Sequence, residues 1–465
     1  MAFVNREAEI RFLRNRTESD RGELIVVYGR RRIGKTELLK EAFKKKKTIF
    51  FVADLGADQD QRRRLSEAVG RLYPNPLLQT DPPPEWDPLL RYITDLAKKV
   101  RIILVMDEFP YLCSSQPALP SILQRIWDER GKDSKWFLIL CGSFVSFMER
   151  EILGHKSPLY GRRTGQLLIQ PLSLLGLKGF FPGYSPEDRI SAYAILGGVP
   201  AYLLQFSDRL SLTQNIERQI LNPNAFLYDE VRFILMEELR DPKLYLSILQ
   251  SIAFGNTRMN DIVQRTGIER GPVSKYLSVL QDLRLIERET PVTEKHPDKS
   301  RRGIYRLSDN FFRFWFRFVL PHRSRLVESG GRRILEREIV PHLDHFIGQG
   351  FDKICAEMCR YLAGEGRIKM DYDRAGRWWN GNEEIDLLVL TGDVPVFAAE
   401  CKWSKKPIGM DILKALQRKV SLLAPEGRTE NIRLGLFSRS VFTREVEELR
   451  KKGEVELFDI RKIGL

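Results

Sequence analysis

The stretch LIVVYGRRRIGKTELLKEAF, residues 24–43, leaves few folds open to this chain. Residues 24–28 read as a buried strand, a loop runs from Gly29 to Gly34, and Lys35-Thr36 opens a helix. The spacing G-x-x-x-x-G-K-T, with a strand before and a helix after, is that of a phosphate-binding loop. Gly29 and Gly34 let the backbone N–H groups of the loop, through Arg30, Arg31, Arg32 and Ile33, curl around phosphate oxygens where a Cβ would obstruct them. The first helical turn, Lys35-Thr36-Glu37, adds unpaired N–H donors and a partial positive charge. Lys35 is placed to reach the β- and γ-phosphates, and the Thr36 hydroxyl to hold Mg²⁺. The expected ligands are ATP and Mg²⁺. The plain alternative, a Gly-containing turn with solvated basic residues, leaves the complete motif and its flanks unexplained.

A chain of 465 residues is too long for one ordinary core, so two to four domains are expected. Its 43% apolar and 30% charged residues exclude disordered and fibrous classes. The net charge of +14 favours a polyanionic partner such as nucleic acid, although surplus Lys and Arg also serve to solvate a surface. Cys113, Cys141, Cys355, Cys359 and Cys401 contain no C-x-x-C and are odd in number, which argues against a disulfide framework and for a reducing compartment. His342 and His345 precede Cys355 and Cys359 at a spacing that fits no common zinc site. The run FFRFWFRFVL at 311–320 is broken by Arg313 and Arg317 and is too short to span a bilayer. Its aromatic residues read as core packing. The N-terminal MAFVNREAEI lacks an apolar signal core, so a cytoplasmic protein with no membrane partner is expected.

Strands at 48–53 and 101–108 alternate with helices at 58–72 and 86–98, and the prolines around Pro82, Pro83 and Pro84 mark a loop. This alternation predicts a parallel sheet covered on both faces. The apolar strand ending in Asp107-Glu108 supplies the second half of the nucleotide site: Asp107 for the Mg²⁺ shell, Glu108 to orient or deprotonate the attacking water. The next strand, 136–141, ends in Gly142-Ser143, where Ser143 either senses the γ-phosphate or caps the following helix. Arg162 and Arg163 sit in a loop as candidates for an arginine finger, in cis or toward a neighbouring subunit of a homo-oligomer. Solvated surface arginines are the competing reading.

With FVNREAEIRFL at 3–13, GRRRIGKT, IILVMDE, LILCGS, SPLYGRR and LGGVPAYL at 196–203, the first half of the chain resembles AAA-related archaeal and bacterial ATPases of the signal-transduction type that carry a C-terminal nuclease-like domain. The resemblance implies an α/β P-loop NTPase fold: a five-stranded parallel sheet, with a strand inserted beside the Walker B strand, and a helical lid. It also implies that Val4, Asn5 and Arg6 lie near the adenine, and that Gly198-Val199-Pro200 of the lid, with Pro200 as a nucleotide contact, lies near the ligand. The expected domains are the ATPase core at 1–170, the lid at 171–240, a winged helix at 241–320 and a nuclease-like α/β domain at 335–465.

Three helices (243–253, 257–266 and 270–283) and two strands (285–291 and 303–307) predict the winged helix. Val273, Leu277, Leu280 and Leu283 form the inward stripe of the third helix. Its other face carries Arg270, Ser274 and Lys275, suited to a major groove, and the tip between the strands carries Lys295, Lys299, Arg301 and Arg302 for phosphates. The alternative is a winged helix that packs on the ATPase core and touches no DNA.

In the last domain, 385–390 and 395–403 read as a hairpin turning at Gly392-Asp393. If Thr391 faces Pro395, Asp386 lies opposite Glu400, and Lys402 shares the face of Glu400. Mg²⁺ held by Asp386, Glu400 and the Cys401 carbonyl would offset the like charges, with Lys402 stabilising charge on a phosphodiester. This spacing resembles the PD-(D/E)XK nucleases, and the resemblance implies an accessory acid on the preceding helix, Asp352 or Glu357. The leading expectation is a Mg²⁺-dependent ATPase acting on nucleic acid, DNA before RNA, through a winged helix and a domain that cleaves. The alternative is an ATP-dependent switch or scaffold without nuclease chemistry.

Overall fold

The computed structural model describes residues 4–75, 78, 83–239, 241–423 and 431–464, so Met1, Ala2, Phe3 and Pro82 lie outside it. The chain divides into two compact units, Met1–Pro171 and Leu172–Leu465.

In the first unit, strands β1 (Glu23–Tyr28), β2 (Thr48–Val52), β3 (Ile102–Asp107), β4 (Trp136–Gly142) and β5 (Gly165–Leu168) form one sheet in the order β2-β3-β4-β1-β5. All four pairings are parallel. β1, β3 and β4 are buried along their full length because helices cover both faces. On one side Leu24, Val26 and Tyr28 pack with Leu65, Trp86 and Leu123. On the other, Ile25 and Val27 pack with Leu13, Leu38 and Leu39. β4 is the strand inserted between the phosphate-loop strand β1 and the acidic strand β3, as the resemblance implied. The expected helix at 58–72 forms as Asp58–Leu72.

The second unit begins with helices, among them Pro186–Leu196, Pro200–Leu203 and Phe226–Glu238. Helices Pro242–Ala253, Met259–Thr266 and Arg270–Asp282 follow, then the antiparallel strands β6 (Ile286–Glu289) and β7 (Ile304–Leu307). The stripe predicted on the third helix is inward: Val273, Leu277 and Leu280 are at most 1% exposed. Next comes the aromatic helix Asn310–Phe314, which continues through a π-turn at Trp315–Val319.

A second five-stranded sheet closes the chain in the order β12-β11-β10-β9-β8, with β8 at Arg374–Asn380, β9 at Glu383–Thr391, β10 at Val394–Lys402, β11 at Arg433–Ser438 and β12 at Glu456–Asp459. β8, β9 and β10 run antiparallel, whereas β10, β11 and β12 run parallel. Leu387, Val389 and Ala399 pack with Cys355, Met358 and Cys359 of helix Phe351–Gly364. Leu388, Leu390 and Ala398 pack with Leu413, Leu416 and Val420 of helix Met410–Ser421. All five cysteines are buried and unpaired. Among the described residues, no helix is long and apolar enough to cross a membrane.

Candidate functional site

The loop after β1 is shaped by two glycines and one strained arginine. A Cβ on Gly29 would lie 2.4 Å from the Ile169 carbonyl oxygen, so only glycine lets β1 turn past the end of β5. Gly34 adopts φ 84° at the N-cap of helix Lys35–Phe43, a conformation that a Cβ disfavours. Arg32 is held at φ 69° without that freedom, and such strain persists where surrounding structure imposes it. Ile33 is 2% exposed and pins the loop to the core beside Leu38. Arg31 donates to the Tyr111 hydroxyl at 2.7 Å and lies over the Phe144 ring. Glu37 is solvent-facing and pairs with Lys40 at 2.9 Å.

Lys35 is 6% exposed, and its ammonium donates to the carbonyls of Gly29 at 2.9 Å and Arg30 at 3.0 Å. Burial pushes its pKa below the ordinary lysine value, against the pull of Cys141, Glu108 and Asp107. The Thr36 hydroxyl donates to Asp107 Oδ2 at 2.6 Å, which brings two oxygen donors suited to Mg²⁺ together across β1 and β3. Asp107 Oδ1 accepts the Glu108 N–H at 3.0 Å. Glu108 itself stands at φ 53°, a left-handed conformation unusual for glutamate. One of its oxygens accepts the Ser143 hydroxyl at 2.6 Å, while Oε2 is sealed from solvent with no hydrogen-bond partner. A buried carboxylate oxygen that no protein donor reaches is able to accept from water or a ligand. Ser143 does not cap the next helix, which has Phe144 at its N-cap and no side-chain bond there. The oxygen donors Thr36 and Asp107 therefore fit a hydrated magnesium ion.

The other candidate residues are held by their own local contacts. Arg6 is 8% exposed and donates to Glu9 Oε1 at 2.9 Å and to the Gln170 carbonyl at 2.5 Å, which ties helix Glu7–Thr17 to the chain beyond β5. Val4 and Asn5 precede it, Asn5 at φ 58°. Pro200 opens helix Pro200–Leu203 in the second unit, next to Gly198, whose carbonyl accepts the Leu172 N–H at 2.7 Å. Arg162 is committed to Asp128, with contacts of 2.8–3.0 Å, and to the carbonyls of Pro158 and Tyr160. The Arg162→Ala variant is expected to keep its ATP turnover and to lose only about 0.5–1 kcal/mol of stability, the value of a partly exposed ion pair. A collapse of steady-state hydrolysis in that variant would return Arg162 to the reaction.

The C-terminal hairpin differs from its expected register by one residue at the turn. Thr391 faces Val394, not Pro395. A bulge between Pro395 and Phe397 then restores the offset, and Ala399 faces Leu387. Beyond that pair the Asp386 carboxylate accepts the Cys401 N–H at 2.9 Å. Lys402 Nζ joins Asp386 Oδ2 at 2.9 Å to Glu400 Oε2 at 2.5 Å. The sequence reading missed Lys419, which meets Glu400 Oε1 at 2.7 Å from the covering helix. Its only signal was an amphipathic pattern that brings the last turn of that helix over β10. The two carboxylates raise the Lys402 pKa despite its burial. Asp386 is held below the usual carboxylate range by Lys402 and the Cys401 N–H, which outweigh its desolvation. Burial and Asp386 push Glu400 upward.

Neither accessory-acid candidate joins this cluster through a hydrogen bond or ion pair. Asp352 is bound by Arg306 at 2.8 Å, and Glu357 accepts from the Leu174 N–H at 2.5 Å and the Tyr193 hydroxyl at 2.9 Å. Among the described residues, no three His, Cys, Asp or Glu side chains gather in an arrangement that holds a metal. The expected metal ligands Asp386 and Glu400 already meet two ammonium groups, and this donor set does not fit a divalent ion.

On helix Arg270–Asp282, the side chains of Arg270, Ser274 and Lys275 are exposed. At the tip between β6 and β7, Lys295, Arg301 and Arg302 are exposed, with Arg302 paired to Glu294 at 2.9 Å.

A parallel sheet with an inserted strand, a glycine loop carrying Lys35-Thr36 and an acidic pair at the end of β3 define a P-loop ATPase. Residues 3–206 match an ATPase domain found predominantly in Archaea, and residues 315–418 match archaeal and bacterial proteins of unknown function. An uncharacterized protein of Methanocaldococcus jannaschii is 34% identical over 402 residues, which cover 86% of this chain and 87% of that protein. The chain belongs to this family of predominantly archaeal ATPases. The Walker-type ATPase of Pyrococcus abyssi shares the fold, with a TM-score of 0.53 at 21% identity over 68% of this chain and 96% of that one.

Proposed function

We propose that this ATPase is magnesium-dependent and couples its nucleotide state to DNA held by the second unit. The unpaired Glu108 oxygen beside Thr36 and Asp107 carries the catalytic part of this reading. Thr36 and Asp107 would hold Mg²⁺, which when bound neutralises charge on the phosphates. Lys35 binds the β- and γ-phosphates, the loop amides from Arg30 to Gly34 orient them, and Glu108 takes up the proton of the attacking water. Ser143 fixes the Glu108 carboxylate. Glu108→Gln is expected to retain ATP while losing turnover by roughly 10²-fold or more, as filter binding and phosphate release would measure. Normal hydrolysis by this variant would place the water-activating group elsewhere. A second copy of the chain is a proposed source of an arginine finger, and Arg163 is then the candidate because Arg162 is committed to Asp128.

DNA is the proposed partner of the second unit, through a winged helix whose third helix presents Arg270, Ser274 and Lys275 and whose wing presents Lys295, Arg301 and Arg302. Such contacts make affinity fall steeply with salt, and each phosphate contact removed lowers the slope of log affinity against log salt by about one. A slope unchanged after Lys275→Ala and Arg301→Ala would reject this face. The ammonium groups on Asp386 and Glu400 favour a nuclease-like domain that docks DNA without cutting it. Magnesium-dependent DNA cleavage that disappears in both Asp386→Ala and Lys402→Ala would overturn that choice.

A further inference from the structure

The aromatic helix is polar on one side only. Phe311, Phe312, Phe314, Trp315, Phe316 and Phe318 are at most 3% exposed, so they are core residues. Arg313 and Arg317, one helical turn apart, share the remaining face and line a cavity of about 330 Å³. Arg306, Lys353 and Arg377 line it as well, and no carboxylate among the described residues does.

Three of these five cations are neutralised by acids behind the wall. Arg306 pairs with Asp352 at 2.8 Å and Glu289 at 3.2 Å. Arg377 pairs with Glu289 at 3.4 Å and with Glu384, and Lys353 pairs with Glu287. Arg313 and Arg317 have no such partner among the described residues. Arg313 donates to the Phe346 carbonyl at 3.1 Å and lies over the Phe346 ring, while its Nε is sealed from solvent without a hydrogen-bond acceptor. Arg317 lies over the Phe254 ring, which is 40% exposed at the same cavity. Burial, reinforced by Arg306 and only partly offset by Asp352, brings the Arg313 guanidinium down to about 10.

We infer that this cavity binds a phosphoryl dianion, either free or at the end of a nucleotide chain. Arg313 and Arg317 are two guanidinium groups at one cavity to which no carboxylate is bonded among the described residues, and a phosphoryl group has oxygens enough to engage both. Planar N–H forks suit the several oxygens of a phosphoryl group. The exposed Phe254 face adds a surface on which a base next to a terminal phosphate can stack.

Calorimetry on the Lys35→Ala chain separates this site from the phosphate loop. The probes are inorganic phosphate, a 5′-phosphorylated dinucleotide and the same dinucleotide without its phosphate. Saturable binding of a phosphorylated probe is expected, weakened at least about tenfold when Arg317→Gln is added. Binding of inorganic phosphate assigns the free anion, and binding of the phosphorylated dinucleotide alone assigns a terminal phosphate. Arg313→Gln should give the same loss; should it fail to fold, Arg317, at the open face of the cavity, still decides the matter. No binding by either phosphorylated probe, equal affinity after Arg317→Gln, or equal binding of the dephosphorylated dinucleotide would each overturn the inference.

Discussion

Lys35→Met is expected to reduce ATP hydrolysis by roughly 10²–10³-fold, the usual cost of removing one preorganised charge-stabilising donor. Its ammonium is held at the centre of the loop by the Gly29 and Arg30 carbonyls, where incoming phosphate oxygens would outcompete two neutral acceptors. The same substitution should not unfold the first unit. Among the described residues Lys35 has no carboxylate bonded to it, so methionine removes a desolvated charge without stranding a counter-ion, at the cost only of its bonds to the Gly29 and Arg30 carbonyls. The sign with pH follows from its depressed pKa. Between that folded value and the unfolded value of about 10.5, the unfolded chain binds more protons, so stability rises with pH in that window. The Lys35→Met variant should lose that part of the rise. Turnover at the wild-type rate, measured by steady-state phosphate release, would remove the phosphate loop from the reaction; thermal unfolding well below the wild type would show that Lys35 is a structural anchor instead.

The parts of this molecule that were legible beforehand are those where local chemistry dictates geometry. Gly29, Gly34, Lys35 and Thr36 announce a loop, because few sequences place glycine where backbone must approach phosphate. The stripe Val273-Leu277-Leu280 announces a helix buried on one side, because the 3.6-residue period leaves no other way to gather those side chains. The hairpin was legible as an alternation, but its register depended on a bulge at Val396 that no sequence pattern marks. The inferred approach of Asp386 to Glu400 survived only because the turn and the bulge shift the strand in opposite senses. What stayed hidden rests on distant partners. Lys419 lies 19 residues from Glu400, on a helix whose docking is set by tertiary packing. Glu357, offered as an accessory acid on helical position alone, is drawn to Leu174 and Tyr193 instead. Arg313 and Arg317 interrupt an apolar run for a reason that appears only once the opposite wall of the cavity is in place.

Glu400→Gln should destabilise the second unit measurably. Glu400 is 2% exposed and accepts from two ammonium groups, one on each carboxylate oxygen. Glutamine keeps the shape but removes the charge. Among the described residues Lys402 then retains only Asp386, and Lys419, 18% exposed, keeps no bonded carboxylate, with Glu383 a more distant charge. Breaking a buried pair by neutralising one partner costs about 3–5 kcal/mol, but burial and Asp386 already disfavour the Glu400 charge and Lys402 is 33% exposed, so the expected loss is smaller, about 1–3 kcal/mol. The loss should be recovered in part by Lys419→Met, which removes the stranded cation, and the non-additivity of the two substitutions would measure their coupling. Acid reports on the same cluster through Asp386. Its folded pKa is depressed, so its contribution is complete above the unfolded value of about 3.9 and is lost as pH falls through the folded value. Lys402→Met removes the group that depresses it and should cut the stability lost between pH about 4 and lower values. Chemical denaturation of the second unit, followed by tryptophan fluorescence, reads these changes. Glu400→Gln with wild-type stability, or strict additivity with Lys419→Met, would mean that the carboxylate is not held by its lysines, and a divalent ion would again be the better counter-charge for this hairpin.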